Sequence, residues 1–427
     1  MSCSRTSLSI APLLFALAAG QGVRAEETFD VSAFEKKAIE LTGFVEVRPE
    51  SQSLRRDSTG YLLQYRGISP TTLDRVSSAV ELSGILRHES LSFNFTGHAS
   101  SVSDSQASAS DGRMYEAYAS WQPDPTLATE VGKRALRWGK GYAWSPVAFL
   151  ERPKDPNDPE LAREGFMMLT GSVVQSFDGP LQTLTLTSAL LSTTADLNAD
   201  YGAQGHLNPA IKLYGLIYDT DVDLIYAAPG SRGTRWGLDF SRNLGSNLEI
   251  HGEWAHTTDA NRSLLNQANE LAIQTRSYDS YLVGLRYLTE RDTTVVFEYY
   301  RNGNGYTAPE VSQFYDLVRA SATNASLVQP ASKAASQGYN QPNVMQNYVY
   351  LKISQKEPLD ILDFTPSVTM IANTDDHSFS VTPEALYTGF KNLELRLRLT
   401  LNRGDSSTEY GEKPVQSRVE FRARYFF

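Results

Sequence analysis

Cysteine is almost missing from this chain, since Cys3 is the only one among 427 residues. It lies ahead of an apolar run, Leu8–Gly20, and small residues follow that run at Val23–Ala25. This order predicts a cleaved signal peptide over residues 1–25, so that the mature chain begins at Glu26. A mature chain of this kind has no disulfide, no thiolate metal site and no cysteine nucleophile.

Long apolar runs are missing too. The run at Leu8–Gly20 is shorter than the ~20 residues that a transmembrane helix needs, and no later stretch is longer. This argues against the alternative of an uncleaved N-terminal anchor. Amphipathic helical patterns are rare although 41% of the residues are hydrophobic, and the formal charge of −10 gives no support to nucleic-acid binding. We therefore expect no nucleic-acid partner.

What the sequence has instead is alternation, seen most clearly at its C-terminal end. Apolar residues occupy one face of the last segment, at Val419, Phe421, Ala423, Tyr425 and Phe427. Mostly charged residues occupy the other, at Arg418, Glu420, Arg422, Arg424 and Phe426. Such a strand suits a wall with lipid on one side and water on the other. The alternative is an amphipathic edge strand of a soluble sandwich.

The same two-residue period recurs between turn signals along the chain. It is found at Thr183–Leu190, Arg235–Phe240, Leu248–Trp254, Tyr281–Tyr287 and Leu393–Asn402. Repeated segments of this kind predict an all-β fold, a single antiparallel up-and-down transmembrane barrel over residues 41–427. A short periplasmic segment, residues 26–40, would precede it.

Short and long connections alternate in the predicted barrel. The longer ones are Ser101–Asp111, Lys140–Arg163, Thr193–Asn208, Thr257–Ser277, Asn302–Asn343 and Arg403–Pro414. Barrels of this class keep short turns in the periplasm and long loops outside, and counting on that basis gives about 18 strands (16–18). Leu41–Arg48 and Tyr61–Arg66 compete for the first strand, so one of the two is expected to be peripheral.

The terminal Phe427 behind alternating aromatic residues resembles the signal that the outer-membrane barrel assembly machinery reads in Gram-negative bacteria. The resemblance implies a porin-type barrel in the outer membrane, with Phe421, Tyr425 and Phe427 as its assembly signal. It also implies the assembly machinery, outer-membrane lipid and lipopolysaccharide as partners.

A basic, proline-rich stretch is the most distinctive part of the chain. It covers Val131–Gly165 and contains six basic residues that are singled out below, Arg134, Arg137, Lys140, Arg152, Lys154 and Arg163. Proline fixes φ and lacks a donor, so this segment cannot simply extend the sheet. Two interpretations stand: a loop folded into the lumen as a basic constriction, or an outer loop that bridges lipopolysaccharide phosphates.

The pattern GKRALRWG within that stretch resembles a strand of alginate-export-type and related proteobacterial barrels. That resemblance places the six basic residues near a basic constriction, as candidate constriction residues, and implies polysaccharide export as an alternative function. A scaffold for periplasmic partners is a further alternative. Oxygen ligands at Asp155, Asn157, Asp158 and Glu160 lack the spacing of a calcium loop, so we expect a solvated turn and no metal.

A helix is predicted over Pro309–Thr323, where Pro309 suits the first turn and apolar residues follow helical spacing. It would lie in the barrel mouth as a lid or rest on the outer rim.

The predicted lumen face of the last two strands carries a ladder of arginines, Arg396, Arg398, Arg418, Arg422 and Arg424. These residues would favour anionic solutes, or would pair with Glu46 or Glu81 where the barrel closes. About 18 strands leave a lumen too wide for wall side chains alone to fill. We therefore expect a porin-like channel for small, anionic solutes, with no enzyme activity and no cofactor. Solute identity and oligomeric state stay open.

Overall fold

The computed structural model describes residues 37–427, so the predicted signal peptide lies outside the described residues. Eighteen antiparallel strands pair in chain order, and β1 also pairs with β18, which closes the sheet into a barrel. The predicted strand number is confirmed. Within residues 37–427, no helix combines the length and the apolar character that a membrane crossing requires.

The first nine strands are β1 (Ile39–Leu54), β2 (Thr72–His88), β3 (Leu91–Asp104), β4 (Ser108–Asp124), β5 (Leu127–Arg134), β6 (Phe166–Ser176), β7 (Leu181–Thr193), β8 (His206–Ile217) and β9 (Thr220–Ala227). The second nine are β10 (Arg235–Leu244), β11 (Leu248–Leu265), β12 (Leu271–Leu288), β13 (Thr293–Arg301), β14 (Asn347–Gln355), β15 (Phe364–Asn373), β16 (Phe379–Phe390), β17 (Leu393–Arg403) and β18 (Val415–Phe426). Three helices lie in the connections: α1 (Thr59–Gln64), α2 (Ala308–Thr323) and α3 (Val328–Ala334).

All the long connections meet at one end of the barrel. The segments 55–71, 135–165, 194–205, 302–346 and 404–414 follow odd-numbered strands, whereas even-numbered strands end in turns of two to eight residues. Two predicted loops were wrong, because Ser101–Asp111 and Thr257–Ser277 mostly continue as paired strands. A segment rich in serine and threonine can pair its backbone with a neighbouring strand as well as it can form a loop. The polar composition alone therefore did not distinguish a strand from a loop.

The competition for the first strand is resolved by α1. Leu41–Arg48 lies within β1, whereas Tyr61–Arg66 overlaps helix α1 and is peripheral to the barrel. Ser58 caps this helix by accepting from the N–H of Tyr61, and Tyr61 and Tyr65 pack together at a helical spacing of four.

The outer and inner faces of the strands alternate as the period-two pattern predicts. On β17, Leu397 is 51% exposed on the outer face and its neighbour Arg398 is 6% exposed in the lumen. On β18, Phe421 is 43% exposed and Arg422 is 2% exposed. The barrel is therefore built with its apolar side outward, and its packed core lies in the lumen.

The seam between β1 and β18 reaches the last residue of the chain. Gly43 and Phe427 exchange two backbone hydrogen bonds, each 3.0 Å long. A Cβ at Gly43 would lie 2.8 Å from the Phe427 ring, so the glycine makes room for the terminal aromatic residue.

Helix α2 confirms the predicted helix and lies in the barrel mouth. The backbone N–H of Thr307 donates to Glu310 at 2.8 Å, which caps the first turn. Phe314 and Val318 are buried in one cluster with Tyr348, on the lumen face of β14. The helix therefore packs inside the wall and not on the outer rim.

Neighbouring positions on β2 and β3 test these faces. Cysteines at Ser83 and Ser100 should react with a small, membrane-impermeant maleimide, because both side chains line lumen cavities. Cysteines at Leu82 and Ala99, one residue away, should stay unlabelled in membranes because side chains alternate along a strand. Mass spectrometry of each variant measures the labelled fraction, and equal labelling at all four positions would contradict the assigned faces.

Candidate functional site

The loop between β5 and β6, residues 135–165, folds into the barrel and is called the insertion loop below. Two carboxylates on the opposite wall hold its backbone: Glu253 on β11 accepts three N–H groups and Glu298 on β13 accepts two. The donors are Lys140, Gly141 and Val147 to Glu253, and Tyr142 and Ala143 to Glu298. Both carboxylates are nearly inaccessible, at 4% and 0% exposed, so these charge-assisted bonds fix the loop firmly.

A second anchor lies further along the insertion loop, on another part of the wall. The carboxylate of Asp158 is 3.1 Å from Arg422 on β18 and 3.7 Å from Arg398 on β17. Burial alone would raise the pKa of Asp158, but the two guanidinium groups hold it below its usual value. Because its anchors lie on β11, β13, β17 and β18, the loop crosses the lumen. This favours the constriction over an outer loop.

The apolar side of the insertion loop packs against the wall formed by β6 to β11. Trp138, Val147 and Phe149 are buried in one cluster with Leu191 and Ile225 of that wall. The loop therefore covers one half of the inner wall and leaves its polar side toward the other half.

The structure brings the six predicted constriction residues to the lumen, but most of them are bonded. Arg134 lies against Glu130, the Lys140 ammonium is 3.2 Å from Asp223, Arg152 lies against Asp200, Lys154 donates to the Gly141 carbonyl, and Arg163 is 3.0 Å from Glu151. Arg137 differs, since it is exposed and has no hydrogen bond or ion pair within residues 37–427. Of the six, Arg137 is the residue most available to a solute.

The arginine ladder is neutralised by carboxylates. Glu46, Glu50, Glu384, Glu394, Glu420 and Asp158 lie within 4 Å of its members, Arg396, Arg398, Arg418, Arg422 and Arg424. Arg424 has two nitrogens 2.8 and 2.6 Å from Glu46 of β1, across the seam, and Arg398 makes an equally close pair with Glu384 of β16. The ladder therefore fixes the closure of the barrel and the position of the insertion loop.

A passage runs between the insertion loop and the wall formed by β1 to β4. It consists of two adjoining cavities of about 590 and 360 Å³, which share the lining residues Glu81, Tyr115 and Glu160. Arg137 lines the larger cavity and Arg48 the smaller one. The lumen is thus narrowed but not filled.

A third cavity, of about 520 Å³, lies on the side of the long loops and is called the vestibule below. Its cations are Arg152, Lys154, Arg163, Arg232 and Arg235, and its only acidic lining residue in the described chain is Glu151. Lys154 and Arg163 line both the vestibule and the larger cavity of the passage. The two spaces therefore adjoin at these two basic side chains.

Arg232 and Arg235 were missed by the sequence analysis. Arg235 donates to the Phe149 carbonyl at 2.9 Å and to the Tyr201 hydroxyl at 2.6 Å, while Arg232 donates to the Tyr201 carbonyl. Neither has a carboxylate within 4 Å among the residues that the structure describes. The only sequence signal is a pair of arginines just before a dyad strand, which does not indicate the Tyr201 contact.

Burial acts strongly on Glu151, the acid of the vestibule. Loss of solvent raises its pKa to about 7, although it accepts the Trp138 N–H and lies beside Arg163. The protonation state of Glu151 therefore changes near neutral pH, and the net positive charge of the vestibule changes with it.

Comparison with known proteins bears on the fold. No protein-family model matches the chain, and no curated protein is significantly similar to it. Among solved structures, Acinetobacter baumannii OccAB1 is 12% identical, with a TM-score of 0.52 over 91% of this chain and 96% of that one. A double mutant of the Rhodopseudomonas blastica porin is 10% identical, with a TM-score of 0.45 over 91% and 100% of the two chains.

This chain has the fold of a porin-type β-barrel. The closed sheet of 18 strands and the overlay on OccAB1 agree on that fold. The insertion loop and its anchors are features of this chain's own residues.

The carboxylate anchor can be tested at Glu253. Replacement by Ala leaves three buried N–H groups without an acceptor, at roughly 1–3 kcal/mol each, so the insertion loop should detach from the wall. Limited proteolysis should then cut within residues 135–165, where the native chain resists. Glu249→Ala is the matched control, since Glu249 lies on the same strand and bonds to Ser241. Equal resistance of Glu253→Ala and the native chain would show that the anchor is not needed.

Proposed function

We propose that this protein is an outer-membrane channel through which small anionic solutes diffuse. The apolar outer face suits a bilayer, and a closed barrel leaves no strand edge unpaired in lipid. Phe421, Tyr425 and Phe427 point outward at the end of β18, exposed by 43%, 50% and 55%. This exposure supports their role as a signal for the assembly machinery. Lipopolysaccharide is the expected neighbour of the long loops.

The charge of the vestibule carries the proposal. Five cations line the space through which a solute reaches the passage, and three of them, Lys154, Arg232 and Arg235, have no carboxylate within 4 Å among the described residues, whereas Arg152 and Arg163 are paired. A cleft with low-dielectric walls and one sign of charge raises the local concentration of the opposite ion. The passage beyond is closer to balance, because its larger cavity has Arg137, Lys140, Lys154 and Arg163 against Glu81, Glu116 and Glu160.

The arginine ladder contributes less to selectivity than its sequence suggests. Each of its members lies within 4 Å of a carboxylate, so the field that a solute meets there is largely cancelled. Attraction of anions is therefore assigned to the vestibule and to Arg137.

Conductance of the full chain, refolded into planar bilayers, tests the channel itself. Discrete open steps are expected in KCl, and reversal potentials across a salt gradient should show a preference for chloride. A barrel used only as a scaffold, or plugged by its loops, would give no steps and would overturn the proposal.

Replacing Arg137 by Ser should weaken the preference for anions. A unit charge about 6 Å from a permeating ion in water changes the energy of that ion by about 0.7 kcal/mol, with opposite sign for an anion and a cation, so a drop of up to about tenfold in their permeability ratio is expected. Arg291→Ser, in a turn at the opposite rim, removes the same charge from a site away from the passage and serves as the control. An equal permeability ratio in Arg137→Ser and Arg291→Ser would show that Arg137 does not contribute to selectivity.

The preference for anions should also depend on pH. The raised pKa of Glu151 means that this acid is neutral below about pH 7 and charged above it. Raising the pH from 6 to 8 should therefore lower the chloride-to-potassium permeability ratio. Glu151→Gln should lose that step and keep only the contribution of other titratable groups. An identical pH profile in the two proteins would exclude Glu151 as the cause.

A further inference from the structure

The vestibule has an aromatic side as well as a basic one. Trp144 of the insertion loop stacks on Tyr300 of β13, with ring centroids 5.2 Å apart and planes 20° apart, and both rings line the cavity with Tyr278 of β12. Arg232 and Arg235 line it as well. The cavity therefore offers flat aromatic surface beside its basic groups.

Polar groups in the lining lack partners. The indole N–H of Trp144, the side-chain oxygen of Asn304 and the Nε–H of Arg235 are all buried and have no hydrogen-bond partner among residues 37–427. Trp144 and Arg235 are each only 6% exposed. Buried groups of this kind are costly unless a water or a ligand satisfies them.

Two cations of the vestibule, Arg232 and Arg235, are held in place without a carboxylate partner. Arg235 is fixed by Phe149 and Tyr201, and the exposed Arg232 lies over the Tyr201 ring, 4.2 Å from its centroid. Neither has a carboxylate within 4 Å in the described chain. Such a pair is preorganised for an anionic group of a ligand.

We propose that the vestibule is a saturable binding site for aromatic carboxylates. The carboxylate would meet Arg232 and Lys154, and the ring would pack against Tyr278 and Tyr300, where flat apolar surface and quadrupoles favour an aromatic partner. A volume of about 520 Å³ is within the range of small-molecule sites and well above the size of an inorganic ion. This inference rests on the proposed function, since it names the class of anion that the channel selects.

Equilibrium binding in detergent tests the site without requiring conduction. The probe is radiolabelled 4-hydroxybenzoate, with cyclohexanecarboxylate, acetate and inorganic phosphate as competitors. Saturable binding is expected, and cyclohexanecarboxylate, which has the same charge and similar size but no π-system, should compete at least several-fold less well. Acetate and phosphate should compete more weakly still.

Two variants locate the site. Arg232→Gln, an exposed loop position, should weaken binding about tenfold through loss of a charge-assisted bond. Tyr300→Leu should weaken the binding of 4-hydroxybenzoate and leave the affinity of the competitor acetate unchanged. Arg291→Gln is the matched charge control and should bind as the native chain does.

Each outcome decides between the two ideas. Binding that does not saturate, that cyclohexanecarboxylate matches, or that survives Arg232→Gln unchanged overturns the aromatic site. Open channels with no binding of 4-hydroxybenzoate refute this inference and leave the proposed function intact. Binding with no conductance supports the site and refutes the channel.

Discussion

The insertion loop stays in the lumen because the wall supplies buried carboxylates to its backbone. A loop of 31 residues carries many N–H groups that would lose their partners on leaving water. Glu253 and Glu298 accept five of them, and the arginines at Asp158 secure the far end. The passage, the vestibule and the exposure of Arg137 all depend on that fixed position. Without the fixed insertion loop, the lumen of an 18-stranded barrel is wide and weakly selective.

Much of the fold could be predicted because its causes are local. Alternation at Leu393–Asn402 or Arg418–Phe427 records one face in lipid and one in water, and turns between such segments set the strand count. Local patterns were ambiguous where a short segment fits two structures. Tyr61–Arg66 alternates well enough for a strand, but Ser58 caps it as a helix.

The site was harder to predict because its contacts are long-range. Arg422 and Asp158 are 264 positions apart, so the sequence showed an arginine ladder and a separate acidic turn and not their pairing. The acidic turn was expected to be solvated, yet Asp158 is buried between two arginines. Counting charges along a strand therefore overstated the contribution of the ladder to selectivity. It also overlooked Arg232 and Arg235, whose environment is formed by the distant Tyr201 and Phe149.

The seam between Gly43 and Phe427 has a consequence for how this protein is made. The first strand cannot gain its second neighbour until the final residue of the chain has arrived, so closure is the last possible event of folding. Until then, eighteen strands with one apolar face each are open to pairing with other chains. Holding chaperones, rather than rapid local folding, would set the yield of this barrel.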